Sequence, residues 1–269
     1  MPRITEGGIF SSMPNEEYHT VTDWISKTGL DYIDKSPLAF KSKYLSGVHE
    51  PPTDAMIIGS AAHTLVLEPD TFHGKYLIVP DVRKNSKEYK EHAAKAEGRE
   101  IIKQADFEMF EAIRDAIYRH DRAGKILEHA GMVEHSFFGM VDDVQVKCRP
   151  DWVNPDAGVC IDFKTAVSAA RAEFEKSVGR FRYHVQDPFY CDVLQSCGID
   201  VKEFYFIVVE KTPPYHVAVY WINRNDVSAG REAYKKNLRQ YKWCLEHDDW
   251  FGYNHDEITE INVPGWALD

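Results

Sequence analysis

The stretch GVCIDFKTA, Gly158 to Ala166, constrains this chain more than any other. Its apolar residues recur at every second position, the period of a half-buried strand. Successive side chains on a strand point to opposite faces, so Ile161 and Phe163 share one face while Asp162 and Lys164 share the other. An acid and an ammonium therefore project together from a segment that otherwise belongs in a core.

The surroundings fix how this strand is used. EHSFFGMV and VQVKCRPDWV precede it and are also strand-like, joined through Asp142-Asp143 and then through NPDAG, both favourable turn sequences. A three-stranded antiparallel meander is expected. Upstream, WISKTGLDYIDKSPLAFKSKYL reads as two short helices broken before Pro37, and AMIIGSAAHTLVLEP as a small-residue-rich helix closed by Pro69. RKNSKEYKEHAAKAEGREIIK mixes both charge signs and reads as a solvated loop or helix. ADFEMFEAIRDAIYRHDRAGKIL carries Phe107, Phe110, Ile113 and Ile117 on one helical stripe.

Downstream come helical patterns in AARAEFEKSVGRF and in YHVQDPFYCDVLQSCG, the second ended by Gly198. Strands EFYFIVVE and HVAVYWI follow, linked by KTPPY, and a long amphipathic helix, REAYKKNLRQYKWCLEH. Helices, meander, helix, strands, helix is the order of a mixed α/β fold around a central sheet. No linker, repeat or low-complexity segment divides the chain, so residues 1–269 are expected to form a single domain.

Composition narrows the classes. Five cysteines, with no CxxC pair, make a disulfide framework or thiolate zinc site unexpected and suit a reducing cytoplasm. No apolar run is long enough to span a bilayer, so no membrane association is expected. The net charge of -11 argues against a general nucleic-acid-coating protein, although a local basic channel is compatible with it.

The NPDAG turn brings Asp151, just after Pro150, within cross-strand reach of Asp162. Two carboxylates converging from adjacent strands are hard-oxygen ligands suited to Mg²⁺ or Mn²⁺. A lysine beside them can stabilise charge developing on a phosphate. A bare D-x-K is also what an exposed ion pair on an edge strand looks like, and both readings stand on these residues alone.

Arg149-Pro150-Asp151 followed by IDFKT resembles the P-D…(D/E)-x-K signature of the restriction-endonuclease-like nuclease superfamily. NEEYH, ISKTGL, GSAAHTLVLEP and YHVQDPFYCD, in that order, are similar to segments of the RecE-type exonucleases, the exonuclease VIII family, and the resemblance runs from about Asn15 to PGWA at Pro264 to Ala267. It implies a restriction-endonuclease-like core and a Mg²⁺-dependent exodeoxyribonuclease that degrades linear double-stranded DNA from the 5′ end, leaving 3′ single-stranded tails for strand annealing. It also implies a homo-oligomeric ring, a tetramer, working with a single-strand annealing protein on double-stranded DNA ends.

By the same resemblance, Asp151 and Asp162 match the metal carboxylates, His63 the helix-borne histidine of the metal site, and Lys164 the catalytic lysine. Gln186 and Tyr190, spaced i,i+4 on one helical face, match the Q-x-x-x-Y element bordering the active site of RecB-like nucleases. Glu134 matches the acidic position ahead of the meander, where it would support a second metal ion through water; otherwise it is a solvated strand-end charge. Ser26 and Thr28 stand where related phage-type enzymes hold a terminal 5′-phosphate, and either also suits a helix N-cap. Lys27, Lys35, Arg149, Arg171, Arg180 and Arg182 are candidates for a DNA path or ordinary surface charges. The chain lacks the cysteine set of iron–sulfur relatives, so no iron–sulfur cluster is expected, and it has no GxxxxGK[ST] loop, so ATP is not expected either. The alternatives kept open are a RecB-like single-strand or structure-specific nuclease on the same core, and a non-catalytic DNA-binding module.

Overall fold

A computed structural model of the chain describes residues 4–47, 52–253 and 257–267. The strands among them are β1 (Gly8–Phe10), β2 (Tyr76–Val79), β3 (Glu100–Lys103), β4 (Met132–Val133), β5 (Ser136–Val141), β6 (Val144–Cys148), β7 (Trp152–Asn154), β8 (Val159–Ala166), β9 (Glu203–Glu210) and β10 (Val217–Tyr220). A five-stranded sheet has the order β10-β9-β8-β7-β4 and a three-stranded sheet the order β1-β5-β6, with β2 and β3 paired separately. The β8–β9 pair is parallel and its neighbours are antiparallel, so the central sheet is mixed. A parallel pair needs a crossover, and helices Arg171–Arg180 and Tyr183–Ser196 provide it. This is a mixed α/β, restriction-endonuclease-like fold, as expected from the sequence.

The meander is not one sheet. Residues Val144 to Val153 were expected as a single strand, but the chain leaves the ladder between Cys148 and Trp152. Pro150 has no N–H to donate and fixes its φ, so a ladder cannot run through it. β5 and β6 therefore stay with β1, while β7 joins β8 in the central sheet. Both expected turns are present. Asp142 and Asp143 have φ of 48° and 60°, the conformation a two-residue hairpin turn requires, and Gly158, at φ 66°, ends the β7–β8 connection.

Two further expectations change. The polar segment 83–103 contains helix Lys87–Ala93, but its end is β3, paired parallel with β2. The helical pattern through 105–127 divides at His120, whose extended backbone ends Gln104–Arg119 and whose Nδ1 accepts from Ala123 N to start Asp121–Leu127.

The core lies on both faces of the central sheet. On one, Ile161, Phe163, Ile207 and Val209 meet Val66 of helix Asp54–Leu67 and Ile113 and Ile117 of Gln104–Arg119. On the other, Cys160, Phe206 and Val208 meet Val185, Phe189 and Val193 of Tyr183–Ser196, itself covered by Tyr234, Leu238 and Tyr241 of the long helix Arg224–His247. Pro188 lies inside Tyr183–Ser196 and cannot donate to the His184 carbonyl four residues earlier. The long helix comes closest at that carbonyl. A Cβ on Gly230 would stand 1.8 Å from His184 O, so glycine sets how deeply the two helices nest. No helix among the described residues is long and apolar enough to cross a membrane.

Candidate metal and catalytic site

The β7–β8 register pairs Trp152 with Ile161, which puts Asp151 opposite Asp162 one position beyond the ladder. Since Pro150 has ended the backbone pairing, the Asp151 side chain takes over: its Oδ2 accepts from Phe163 N at 2.5 Å. Its other oxygen, Oδ1, lies 3.3 Å from His63 Nδ1. His63 reaches it from helix Asp54–Leu67 across the opposite face of the sheet, with its ring centroid 4.7 Å from that of Phe163. Thr53 starts that helix by accepting from Met56 N, and Val66, three residues after His63, packs with the central sheet while Ala61 and Ala62 are buried in the cluster of Phe72, Tyr76 and Phe110.

Glu134 completes a cluster with these two. It sits at φ 50° between β4 and β5, its N–H bonded to Asp151 O, and its Oε1 is 4.0 Å from His63 Nδ1. Ligand atoms of His63, Glu134 and Asp151 all lie within 4.8 Å of one another. Asp162 is held on the far side of Asp151. Its Oδ1 accepts from the Gln186 amide, and its Oδ2 lies 2.6 Å from the Lys164 ammonium. That contact is an ion pair without hydrogen-bond geometry, so Oδ2 is a buried carboxylate oxygen with a charge partner and no hydrogen bond. A nitrogen and several carboxylate oxygens, one of them buried and held only by the Lys164 ion pair, are a donor set that fits Mg²⁺ or Mn²⁺.

The electrostatics are those of crowded carboxylates. Burial, reinforced by Asp151, pushes the Glu134 carboxyl up to about 7. Burial also raises Asp162, against the pull of Lys164. Asp151 goes the other way: burial opposes its charge, but His63, Lys164 and the Phe163 N–H outweigh burial and lower it. His63 is raised because Asp151 and Glu134 overcome its burial, and Lys164 is raised because Asp162 and Asp151 overcome its own. The lysine is thus held as a cation, its Nζ 4.7 Å above the Tyr183 ring.

Asp151, Asp162, Lys164, Gln186 and Tyr190 open onto one cleft of about 490 Å³. Thr28 also lines it, whereas Ser26 is not among the lining residues and its Oγ accepts from Gly29 N at 3.2 Å as the N-cap of Lys27–Lys35. Lys27, Arg149, Arg180 and Arg182 line the cleft; Lys35 and Arg171 do not, and Arg171 pairs with Glu175 at 2.8 Å. Arg149 is braced by Ser136 Oγ, Met13 O and the Tyr18 ring. Lys27 and Asp31, spaced i,i+4 on one helix, pair at 2.7 Å, and Arg182, which joins Asp31 from 151 positions away, has no sequence signal. Tyr183 beneath Lys164 and the half-exposed Phe181 were likewise not anticipated.

Residues 26–257 match the family described as a PDDEXK-like domain of unknown function (DUF3799). The crystal structure of a candidate exonuclease from Eubacterium rectale superposes with a TM-score of 0.64 at 14% sequence identity, over 96% of this chain and 98% of that one. A phage-related exonuclease from Haemophilus somnus matches at 11% identity and a TM-score of 0.33, over 75% of this chain and 92% of its own. No curated protein matches. With most of its length matched and the P-D…D-x-K residues gathered at one cleft, the chain belongs to the PDDEXK-like DUF3799 family, within the PD-(D/E)XK superfamily.

Proposed function

We propose that this protein is a metal-dependent deoxyribonuclease of the RecE type, acting as one domain on linear double-stranded DNA from the 5′ end and leaving a 3′ strand for annealing. The observation that carries the reading is the convergence of Asp151, Asp162, Lys164 and Gln186 at a cleft that Arg149 and Arg180 also line. His63, Glu134, Asp151 and Asp162 are the residues that would hold Mg²⁺. When bound, the ion would polarise the phosphoryl oxygen and lower the pKa of water.

The chain's own groups have distinct tasks. Gln186 fixes Asp162 by hydrogen-bonding one oxygen, which leaves the other toward Lys164. Lys164, kept charged by two carboxylates, stabilises negative charge as it develops on the scissile phosphate. His63 orients Asp151 from the opposite face of the sheet. Tyr190 borders the cleft beside the scissile strand, and Arg149 and Arg180, which have no carboxylate ion-pair partner among the described residues, draw the backbone in, whereas Lys27 and Arg182 are paired with Asp31 of the same cleft. Thr28 is the hydroxyl placed to meet a 5′-phosphate, with Ser26 confined to its cap. A ring of identical subunits, tetrameric, an annealing partner and a cytoplasmic site of action belong to the same reading.

End-labelled linear duplex, covalently closed circular duplex and single strands, compared with Mg²⁺ present, test it. Release of the 5′ label from linear duplex, with the circle untouched, is expected. Cleavage of the circle, or preference for single strands, would replace it by a structure-specific or RecB-like nuclease.

A further inference from the structure

Helix Tyr183–Ser196 borders a second cavity, of about 610 Å³, with a face that the cleft does not use. Gln186 and Tyr190 look into the cleft, while Asp187 and Cys191, each one residue on and so about 100° around the helix, line this second space. Its volume falls within the roughly 300–1,000 Å³ of small-molecule sites. The remaining boundary comes from the start of β9 and the residues before it, Trp221 and Ile222 just after β10, and the first turns of Arg224–His247.

Three chemistries meet there. Asp187 is only 6% exposed, and the weak Cys191 thiol, 3.7 Å away, is the one hydrogen-bond partner of its carboxyl among the described residues. A polar group so deeply placed has capacity left for a ligand. Trp221 stands at the cavity 65% exposed, with no aromatic partner among the described residues, beside the apolar walls of Phe204 and Ile222. Lys202 and Arg224 are exposed cations lacking an ion-pair partner among the described residues, unlike Arg231, which is already engaged by Asp192 at 2.8 Å.

A flat aromatic face, a buried carboxyl and free cations are what a nucleobase, its polar edge and its phosphate each require. We propose that this cavity binds one nucleotide, its base stacked on Trp221 with its polar edge at Asp187 and its phosphate at Lys202 and Arg224. The nucleotide is either a free mononucleotide or one unit of a single strand. This assignment stands on the cavity alone and is independent of the nuclease reading.

The test is isothermal titration of the full chain in EDTA, which removes metal-assisted binding at the cleft, with deoxyadenosine 5′-monophosphate, hexadeoxyadenylate and base-free 2-deoxyribose 5-phosphate. Trp221→Ala and Arg224→Ala alter exposed side chains, and an unchanged melting temperature verifies their fold. Each is expected to weaken nucleotide binding by about tenfold. Equal affinity for monomer and hexamer assigns the site to free nucleotides; binding of the hexamer alone assigns it to a single strand. If neither binds, if both variants bind as wild type does, or if the base-free phosphate binds as well as the nucleotide, the proposal is overturned.

Discussion

Glu134→Gln is predicted to stabilise the metal-free protein while weakening its response to Mg²⁺. Glu134 shares its cluster with Asp151, and burial together with that neighbour raises its carboxyl from 4.5 to about 7. A carboxyl whose pKa is higher folded than unfolded favours the fold while protonated. That contribution is present below about pH 4.5, is lost progressively up to about pH 7 and stays lost above it. At about 1.4 kcal/mol per pH unit, the shift corresponds to about 3 kcal/mol. The side chain is still 32% exposed, and solvent screening reduces this to roughly 1–2 kcal/mol. Glutamine has the same shape without the charge. In EDTA at about pH 8 the variant should melt roughly 2–8 °C above wild type, and the difference should vanish near pH 4.5. With excess Mg²⁺ the wild type should gain more than the variant, because it retains every carboxylate of the cluster. Scanning fluorimetry at both pH values, with and without the ion, reads all of this. A variant melting at or below wild type in EDTA at the higher pH would refute the reasoning.

The Mg²⁺-induced rise in melting temperature should itself grow with pH as His63, whose pKa is raised, and Glu134, at about 7, give up their protons; a flat profile would count against them as ligands. Gly230→Ala drives a methyl group into His184 O and should destabilise the fold by about 2–4 kcal/mol in denaturant titration, as overpacking and strain at a close backbone contact do; a neutral result would mean that the helix spacing is soft. Ser26→Ala should lose about 1 kcal/mol as a missing N-cap. Thr28→Val should leave stability in place and slow digestion of 5′-phosphorylated ends relative to 5′-hydroxyl ends, and equal slowing of both would remove it from phosphate recognition.

The parts of the site that sequence reveals are those whose geometry is local. Asp162 and Lys164 share a face by strand period, and Gln186 and Tyr190 by helix period, and each pair does open onto one cleft. Asp151 was readable because a four-residue connection sets its register against Asp162. What lies across the fold was not readable. The approach of Arg182 to Asp31 and that of Gly230 to His184 are tertiary contacts with no periodic signature. Pro150 was visible, yet its consequence, the transfer of the chain from one sheet to another, required knowing that β1 would claim β5. The strand at Glu100–Lys103 escaped notice because its flanks are charge-rich and only Ile102 within it is fully buried. Asp187, overshadowed by Gln186 beside it, had no signal of its own.

The most direct test of the central claim is nucleotide release from linear duplex DNA with Mg²⁺, for wild type and Lys164→Ala, each verified as folded by its melting curve. Lys164 pairs with Asp162 and is not itself one of the metal-ligand candidates, so a retained Mg²⁺-induced rise in melting temperature in the variant shows that the substitution addresses phosphate chemistry and not ion binding. The account predicts release by wild type and a loss on the order of 10²–10³-fold in the variant. A variant as active as wild type, or a folded wild type that releases nothing, would contradict it.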